Sequence, residues 1–269
     1  TRIQAVREMI VAKETTERVK ALDKIEPYQK QDFVDLFKIL EGKPMIIRLI
    51  DPPLHEFLPQ EEKDIEFVAR EINVTVDELK ATIADLHEFN PMLGFRGCRL
   101  GIRYPEITRM QANAIFKAAL EVEWAQPWIE IPLVGNAIEY RMLKDIILEV
   151  AEQLWANGRV NYKIGSMIEV PRAAITADQF AGECDFLSFG TNDLTQMGCG
   201  FSRDDAGKFL KLYVEKWIYE KDPFQSIDQE WVGQLMQICL EKAKKVNPNI
   251  HVWICGEIEI GRASCRERV

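Results

Sequence analysis

A repeated alternation is the feature that most constrains how this chain can fold. Short apolar runs, "MIIRLID" (45–51), "FRGCRLGI" (95–102), "WIEIPLVG" (128–135), "YKIGSMIEV" (162–170), "DFLSFG" (185–190) and "HVWICG" (251–256), are separated by longer segments with apolar residues at helical spacing. A strand-helix unit repeated six times favours parallel strands, since a helix that returns the chain to the starting edge brings the next strand in alongside the last. An open doubly wound sheet and a closed barrel both satisfy the pattern. Both place chemistry at the carboxyl ends of the strands. No Gly-rich dinucleotide loop or Walker loop follows any run, which counts against the nucleotide-binding doubly wound form.

Local signals punctuate the helices. Gly42 and Pro44 close the helix containing "DFVDLFKIL", and "TVDE" from Thr75 has the form of a capping box ahead of "LKATIADLHEF". Pro105 suits the first position of a helix over "ITRMQANAIFKAALEVE", and "RMLKDIILEVAEQLWANG" ends on an Asn-Gly stop. "VPRAAITADQFAGE" and "VGQLMQICLEKAKK" read as the next helices, while "DPPLHEFLPQEEKD" has the composition of a lid or insertion.

With 269 residues, 47% of them hydrophobic, the chain can bury a full-sized core. A formal charge of -9 leaves no broad basic face for a phosphate backbone, so no nucleic-acid partner is expected. The cysteines at 98, 184, 199, 239, 255 and 265 lack CxxC pairing and the density of a secreted disulfide scaffold, which points to reduced thiols and a cytoplasmic location. No apolar run is long enough to span a membrane, so no membrane partner is expected. His55, His87 and His251 do not cluster, and no zinc site is readable. The abrupt start in "TRIQAVREMI" reads as the middle of a helix, as in a fragment.

The residues that end the apolar runs are charged or polar. Glu169 and Asp193 lie at or just past the ends of consecutive strands, where a parallel sheet would bring them side by side. Two hard oxygen ligands with room for water suit magnesium; the bland alternative is a pair of helix caps or solvated acids. Arg48 within "IIRLI" and Arg96 within "GFRGCR" could form an anion clamp, or each could pair with an acid such as Asp51 or Glu130. Cys255 is either a small buried hydrophobe or, facing a substrate, a movable proton. Cys98, Cys184, Cys199 and Cys239 read as packing residues.

Taken together, "RLIDPPLHEFLP", "NPMLGFRGCRLGIRYPEI", "IGSMIEVPRAAITAD", "SFGTNDLTQMGCGFSRDDAGKFL", "DPFQSIDQ" and "ICGE" resemble the C-terminal phosphoenolpyruvate (PEP)/pyruvate barrel of the pyruvate, phosphate dikinases, over about residues 1–257. The "NPxLGxR", "MIExP", "GTNDLTQ" and "CGE" elements are shared with PEP synthase and with enzyme I of the sugar phosphotransferase system, which are the alternative readings. "DPPLHEFLP" and "SRDDAGKFL" point to the dikinases.

The resemblance implies an α/β fold, a TIM-type (β/α)8 barrel that is incomplete, with about strands 3 to 8 present. It implies Mg2+ held by Glu169 and Asp193, and a phosphoryl group held by Arg48 and Arg96. PEP would be lined by Gly190, Thr191, Asn192 and Asp193, with Glu169 beside them, and Cys255 would be the general acid at the enolate carbon. It further implies the half-reaction between PEP and pyruvate with a phosphohistidine on a domain absent from this sequence, within the whole conversion of ATP, pyruvate and phosphate to AMP, PEP and diphosphate. By itself the chain would be inactive, and the intact protein would be a homodimer. The resemblance stops after "ICGE": residues 258–269, "IEIGRASCRERV", are expected to be a non-native tail encoded by adapter read-through, or a disordered end.

Overall fold

The computed structural model describes residues 2–256; the expected foreign tail at 258–269 lies outside them. Helices α1 (Arg2–Val11) and α2 (Thr15–Leu40) lead into strand β1 (Pro44–Arg48). Helices α3 (Glu62–Glu71), α4 (Val76–Leu86), α5 (Gly97–Arg103) and α6 (Pro105–Glu121) precede β2 (Gln126–Ile131). Then follow α7 (Ala137–Gln153), β3 (Lys163–Ile168), α8 (Pro171–Ile175), β4 (Phe186–Gly190) and α9 (Thr191–Cys199). The short α10 (Arg203–Ala206) and α11 (Leu210–Glu215), then α12 (Gln234–Val246), lead to β5 (His251–Cys255). Strands and helices alternate from β2 onward much as the sequence suggests, whereas four α-helices stand between β1 and β2.

The five strands of the sheet stand in the order β1-β2-β3-β4-β5. Chain order without a reversal is the order of barrel staves, since a doubly wound sheet must reverse direction at its switch point. The fold is therefore α/β with part of a TIM-type barrel. β3 pairs with β4 and β4 with β5, both parallel.

The chain forms two compact units: Thr1–Trp128 with Met142–Tyr162, and Ile129–Arg141 with the chain from Lys163 onward. The core of the first gathers Met9, Leu22, Ile25, Leu54, Val68, Leu79, Leu100 and Ile107. Arg18, only 7% exposed, is anchored in this unit by the Glu106 carboxylate at 2.8 Å, by the Ala12 carbonyl at 2.7 Å and by the Tyr104 ring face at 4.1 Å. A guanidinium buried to that degree is tolerated because each side of it is satisfied.

In the second unit every residue of β4 is buried, as is all of β3 beyond Lys163. Strands covered on both faces read as unbroken apolar runs, which explains "KIGSMI" and "FLSFG". The Tyr140 hydroxyl, buried at the start of α7, hydrogen-bonds to the carbonyls of Ile164 at 3.1 Å and Glu183 at 3.3 Å. Burial above all, with the nearby Cys184 thiol next, pushes this phenol far above its ordinary pKa. It acts as a neutral structural pin. A satellite cluster of Ala206, Leu210 and Phe224, packed by Phe201, Phe209 and Tyr219, organises the excursion between α9 and α12.

Several local signals hold. The capping box is complete: Glu78 donates its backbone N–H to Thr75 Oγ1 at 3.1 Å, and Thr75 donates its own N–H to the Glu78 carboxylate at 3.1 Å. Pro105 opens α6, and α2 ends where Glu41 and Gly42 take left-handed conformations, with φ of 47° and 85°. Two expectations need correction. "FRGCRLGI" is not a strand: its buried residues Gly97, Cys98, Leu100 and Gly101 fall one, three and four apart, which is helical spacing, and they form α5. Its local apolar density is the same for either structure, and only the partner face decides. The helix expected across "VPRAAITADQFAGE" breaks after Ile175 into a 3-10 turn at Ala177–Gln179.

The cap yields a direct test. Thr75→Ala removes the acceptor for the Glu78 amide and should destabilise the first unit by about 1 kcal/mol, read as a shifted urea midpoint with an unchanged slope.

Candidate functional site

In the second unit, strand register assembles the sequence-predicted residues. Ile168 pairs with Phe189, so the next residues, Glu169 and Gly190, stand level where β3 and β4 end. Gly190 in turn pairs with Cys255 at the end of β5. Glu169, Gly190 and Cys255 thus line the carboxyl ends of three adjacent parallel strands. The chain enters α9 directly after Gly190, which puts Thr191, Asn192 and Asp193 in that helix's first turn.

Each side chain is held. Glu169 is 1% exposed, and its Oε1 accepts a hydrogen bond from the backbone N–H of Leu133 at 2.6 Å. Leu133 is itself buried with a left-handed φ of 58°. That conformation costs a non-glycine residue roughly 1–2 kcal/mol, and such strain concentrates where a backbone group must be aimed. Glu169 Oε2 occupies space that a side chain at Gly190 would need: a Cβ there would lie 2.6 Å from that oxygen and 2.9 Å from Met167 Sδ. Only glycine permits the end of β4 to run so close to the carboxylate.

Asp193 is also buried, and its Oδ1 accepts from Gln196 Nε2 at 3.4 Å. Gln196 Oε1 accepts the backbone N–H of Arg203 at 2.9 Å, which ties Asp193 to the start of α10. The Oδ1 of Asn192 is buried without a hydrogen-bond partner. An orphaned amide oxygen costs about 1–3 kcal/mol, an expense expected where a ligand later supplies the partner. Glu169 and Asp193 supply buried carboxylates and Asn192 an unpartnered amide oxygen, all of them hard oxygen donors. Among the described residues no group of three or more His, Cys, Asp or Glu is gathered. Oxygen donors of this kind fit magnesium, which keeps waters and substrate oxygens in the rest of its shell.

The Cys255 thiol is partly exposed and lies in a small network: it donates to the Phe189 carbonyl at 3.3 Å and accepts from the buried Ser188 hydroxyl at 3.6 Å. Thr191 Oγ1 donates to the Cys255 carbonyl at 3.0 Å. Gly256, with φ of 132°, faces that same Thr191 hydroxyl so closely that no side chain could stand there.

The two arginines belong to the first unit, and there both pair with Asp51. Arg96, 2% exposed, donates through Nε to Asp51 Oδ1 at 3.3 Å and through Nη2 to Oδ2 at 2.9 Å. Its Nη1 donates to the Met92 carbonyl at 3.2 Å. Arg48 sits at the end of β1 with its side chain 47% exposed and Nη1 3.4 Å from the same Asp51 Oδ2. A cavity of about 340 Å³ opens beside them, lined by Arg48, Asp51, Gln29, Gln111, Met9 and Phe57 among others. Of the two possibilities left open by the sequence, the structure shows pairing with an acid, Asp51.

Sequence reasoning missed Leu133, Ser188 and Gln196. "IPLVG" carries no sign of a left-handed leucine, and Ser188 and Gln196 become visible only once parallel register and the first helical turn place them beside Cys255 and Asp193. Asp51 was within reach as a possible partner, but its sharing by both arginines was not.

The sequence matches the family described as PEP-utilising enzyme, PEP-binding domain, over residues 5–265. It is 49% identical over 263 residues to the pyruvate, phosphate dikinase of Clostridium symbiosum, covering 95% of this chain and 30% of that protein. The similarity to pyruvate, phosphate dikinase 1, chloroplastic, of Arabidopsis thaliana is 50% over 264 residues, with 95% and 27% covered. For pyruvate, phosphate dikinase 2 of Oryza sativa subsp. japonica it is 50% over 266 residues, with 95% and 30% covered. The chain spans less than a third of the length of these relatives.

Thiol reactivity should separate Cys255 from the packing cysteines. Burial first, and the Cys184 thiol second, push Cys239 up to about 12, so at pH 8 it has almost no thiolate to react. Brief iodoacetamide treatment at that pH should label Cys255 well ahead of Cys98, Cys184 and Cys239, as read by peptide mass spectrometry.

Proposed function

We propose, since the chain belongs to the PEP-utilising enzymes through their PEP-binding domain, that it forms the PEP/pyruvate half-site of a pyruvate, phosphate dikinase. The observation that carries this reading is the level alignment of Glu169, Gly190 and Cys255 on three adjacent strand ends, with Asp193 one helical turn beyond. In that reading Glu169 and Asp193 hold a magnesium ion. When bound, the ion supplies Lewis-acid stabilisation of negative charge on the substrate's oxygens. Asn192 offers its unpartnered amide oxygen as acceptor to a water, and the backbone at Gly190 and Thr191 shapes the floor on which the three-carbon acid lies.

Cys255 moves the proton. In the direction that makes pyruvate, the phosphoryl group leaves PEP for a histidine supplied by another domain, and the Cys255 Sγ–H gives its proton to the terminal carbon of the three-carbon unit. In reverse the thiolate takes a methyl proton from pyruvate, and the oxygen left electron-rich attacks the phosphohistidine. Ser188, donating to the sulfur, and the Phe189 carbonyl, accepting from it, hold Sγ in place for that abstraction. Arg48 and Arg96 serve the phosphoryl oxygens, for which planar guanidinium forks are well matched.

The same reading gives the intact protein a phosphohistidine domain in the same polypeptide and a dimeric assembly. Its free cysteines suit a reducing compartment such as the cytoplasm. No helix among the described residues is long and apolar enough to cross a membrane.

The test places this chain in the corresponding segment of the Clostridium symbiosum relative and follows exchange of pyruvate methyl protons into D2O by NMR. Cys255→Ala should slow exchange by roughly 10²–10⁴-fold, the range for loss of a general acid-base group; unimpaired exchange would remove the thiol from this role. A second measurement needs no turnover. Gly190→Ala should push the Glu169 carboxylate aside and weaken Mn2+ binding at least tenfold by electron paramagnetic resonance, with Glu169→Gln and Asp193→Asn doing the same. Unchanged Mn2+ affinity in all three would place the metal elsewhere.

A further inference from the structure

Resting on the phosphoryl-site reading of Arg48 and Arg96, we infer that Asp51 is the positioning residue of that arginine pair, the group that decides whether the two guanidiniums act as one clamp. Its geometry is that of a hub. One carboxylate takes the Nε–Nη2 edge of Arg96 with both oxygens, at 3.3 and 2.9 Å, and shares Oδ2 with Arg48 at 3.4 Å. The Asp51 carbonyl also accepts the backbone N–H of Gly97 at 3.2 Å, so the segment after β1 is bound to the start of α5 through both main chain and side chain.

The electrostatics explain why a carboxylate belongs here. Two guanidiniums brought together repel, and Arg96 is almost wholly withdrawn from water, so without a counter-charge its burial would be costly. Asp51, itself only 6% exposed, offsets that cost and fixes the plane of Arg96. Within the trio two guanidinium charges share one carboxylate. Arg48, half exposed and lining the cavity beside Asp51, is the member that presents its charge outward. An arriving phosphoryl group therefore meets a cation already oriented, which spares the ordering entropy of a long, mobile side chain.

The opposite idea is that Asp51 merely competes with the anion and must be displaced. The two ideas predict opposite signs for one substitution. The full chain is titrated with PEP and, separately, with pyruvate, which lacks the phosphoryl group, while the arginine Nε–H signals are followed by NMR. Asp51→Asn should weaken PEP binding at least tenfold, leave pyruvate binding within about twofold, and speed solvent exchange of the Arg96 Nε–H; Asp51→Glu should recover part of the PEP affinity. Equal or tighter PEP binding by Asp51→Asn would overturn the inference in favour of competition. Parallel loss of both ligands together with the cooperative melt would overturn it in favour of a purely structural pair. A wild-type chain that binds no PEP would sink the phosphoryl-site reading instead, and faster Arg96 exchange in Asp51→Asn would then still support the hold of Asp51 on the arginines.

Discussion

Parallel hydrogen bonding among β3, β4 and β5 is the constraint on which the candidate site rests. Parallel strands share a direction, so residues at matching heights end together, and whatever follows each strand emerges on one rim. Register then does the fine work: the pairing of Ile168 with Phe189 and of Gly190 with Cys255 brings a carboxylate, a glycine and a thiol level with each other. A one-residue slip in either pairing would reverse which face each side chain meets, and the set would disperse. With β3 and β4 buried on both faces, the close packing of Ile168, Phe186, Leu187 and Phe189, rather than an inside-outside pattern, holds that register.

Around that rim the structure concentrates its local costs. Leu133 accepts a left-handed backbone and so aims its amide at Glu169. Gly190 forgoes a side chain where Glu169 needs the space, and Asn192 keeps a buried oxygen unpartnered. Each is unfavourable for folding taken alone, and all three fall at or just past the carboxyl ends of β2 and β4. The arginine cluster of the other unit follows a different logic, in which the burial cost of Arg96 is offset internally by Asp51.

Much of this was legible beforehand, and the failures are instructive. Glu169, Asp193 and Cys255 could be placed at or just past strand ends because the apolar runs beside them mark where those strands stop. The Thr75–Glu78 cap and Pro105 could be read because capping and helix initiation depend on residues three or four apart. "FRGCRLGI" is ambiguous because an eight-residue run has no length signal to separate strand from buried helix, although Arg96, Arg99 and Arg103 recur at helical spacing, a signal for the helix observed. Leu133, Ser188 and Gln196 could not be found at all, since each matters only through a neighbour distant in sequence or through a backbone angle that its residue type does not advertise.

The sequence by itself determined the alternation of strands and helices, the positions of the punctuating glycines and prolines, and the chemical types available at the strand ends. These follow from local physics: hydrophobic period, backbone freedom and the donors or acceptors each side chain carries. Only the tertiary structure decided which of those groups meet. That Glu169, Gly190 and Cys255 stand level, that Asp51 takes both arginines, and that a leucine amide orients the buried glutamate are outcomes of strand register and close packing, which depend on contacts between residues tens of positions apart.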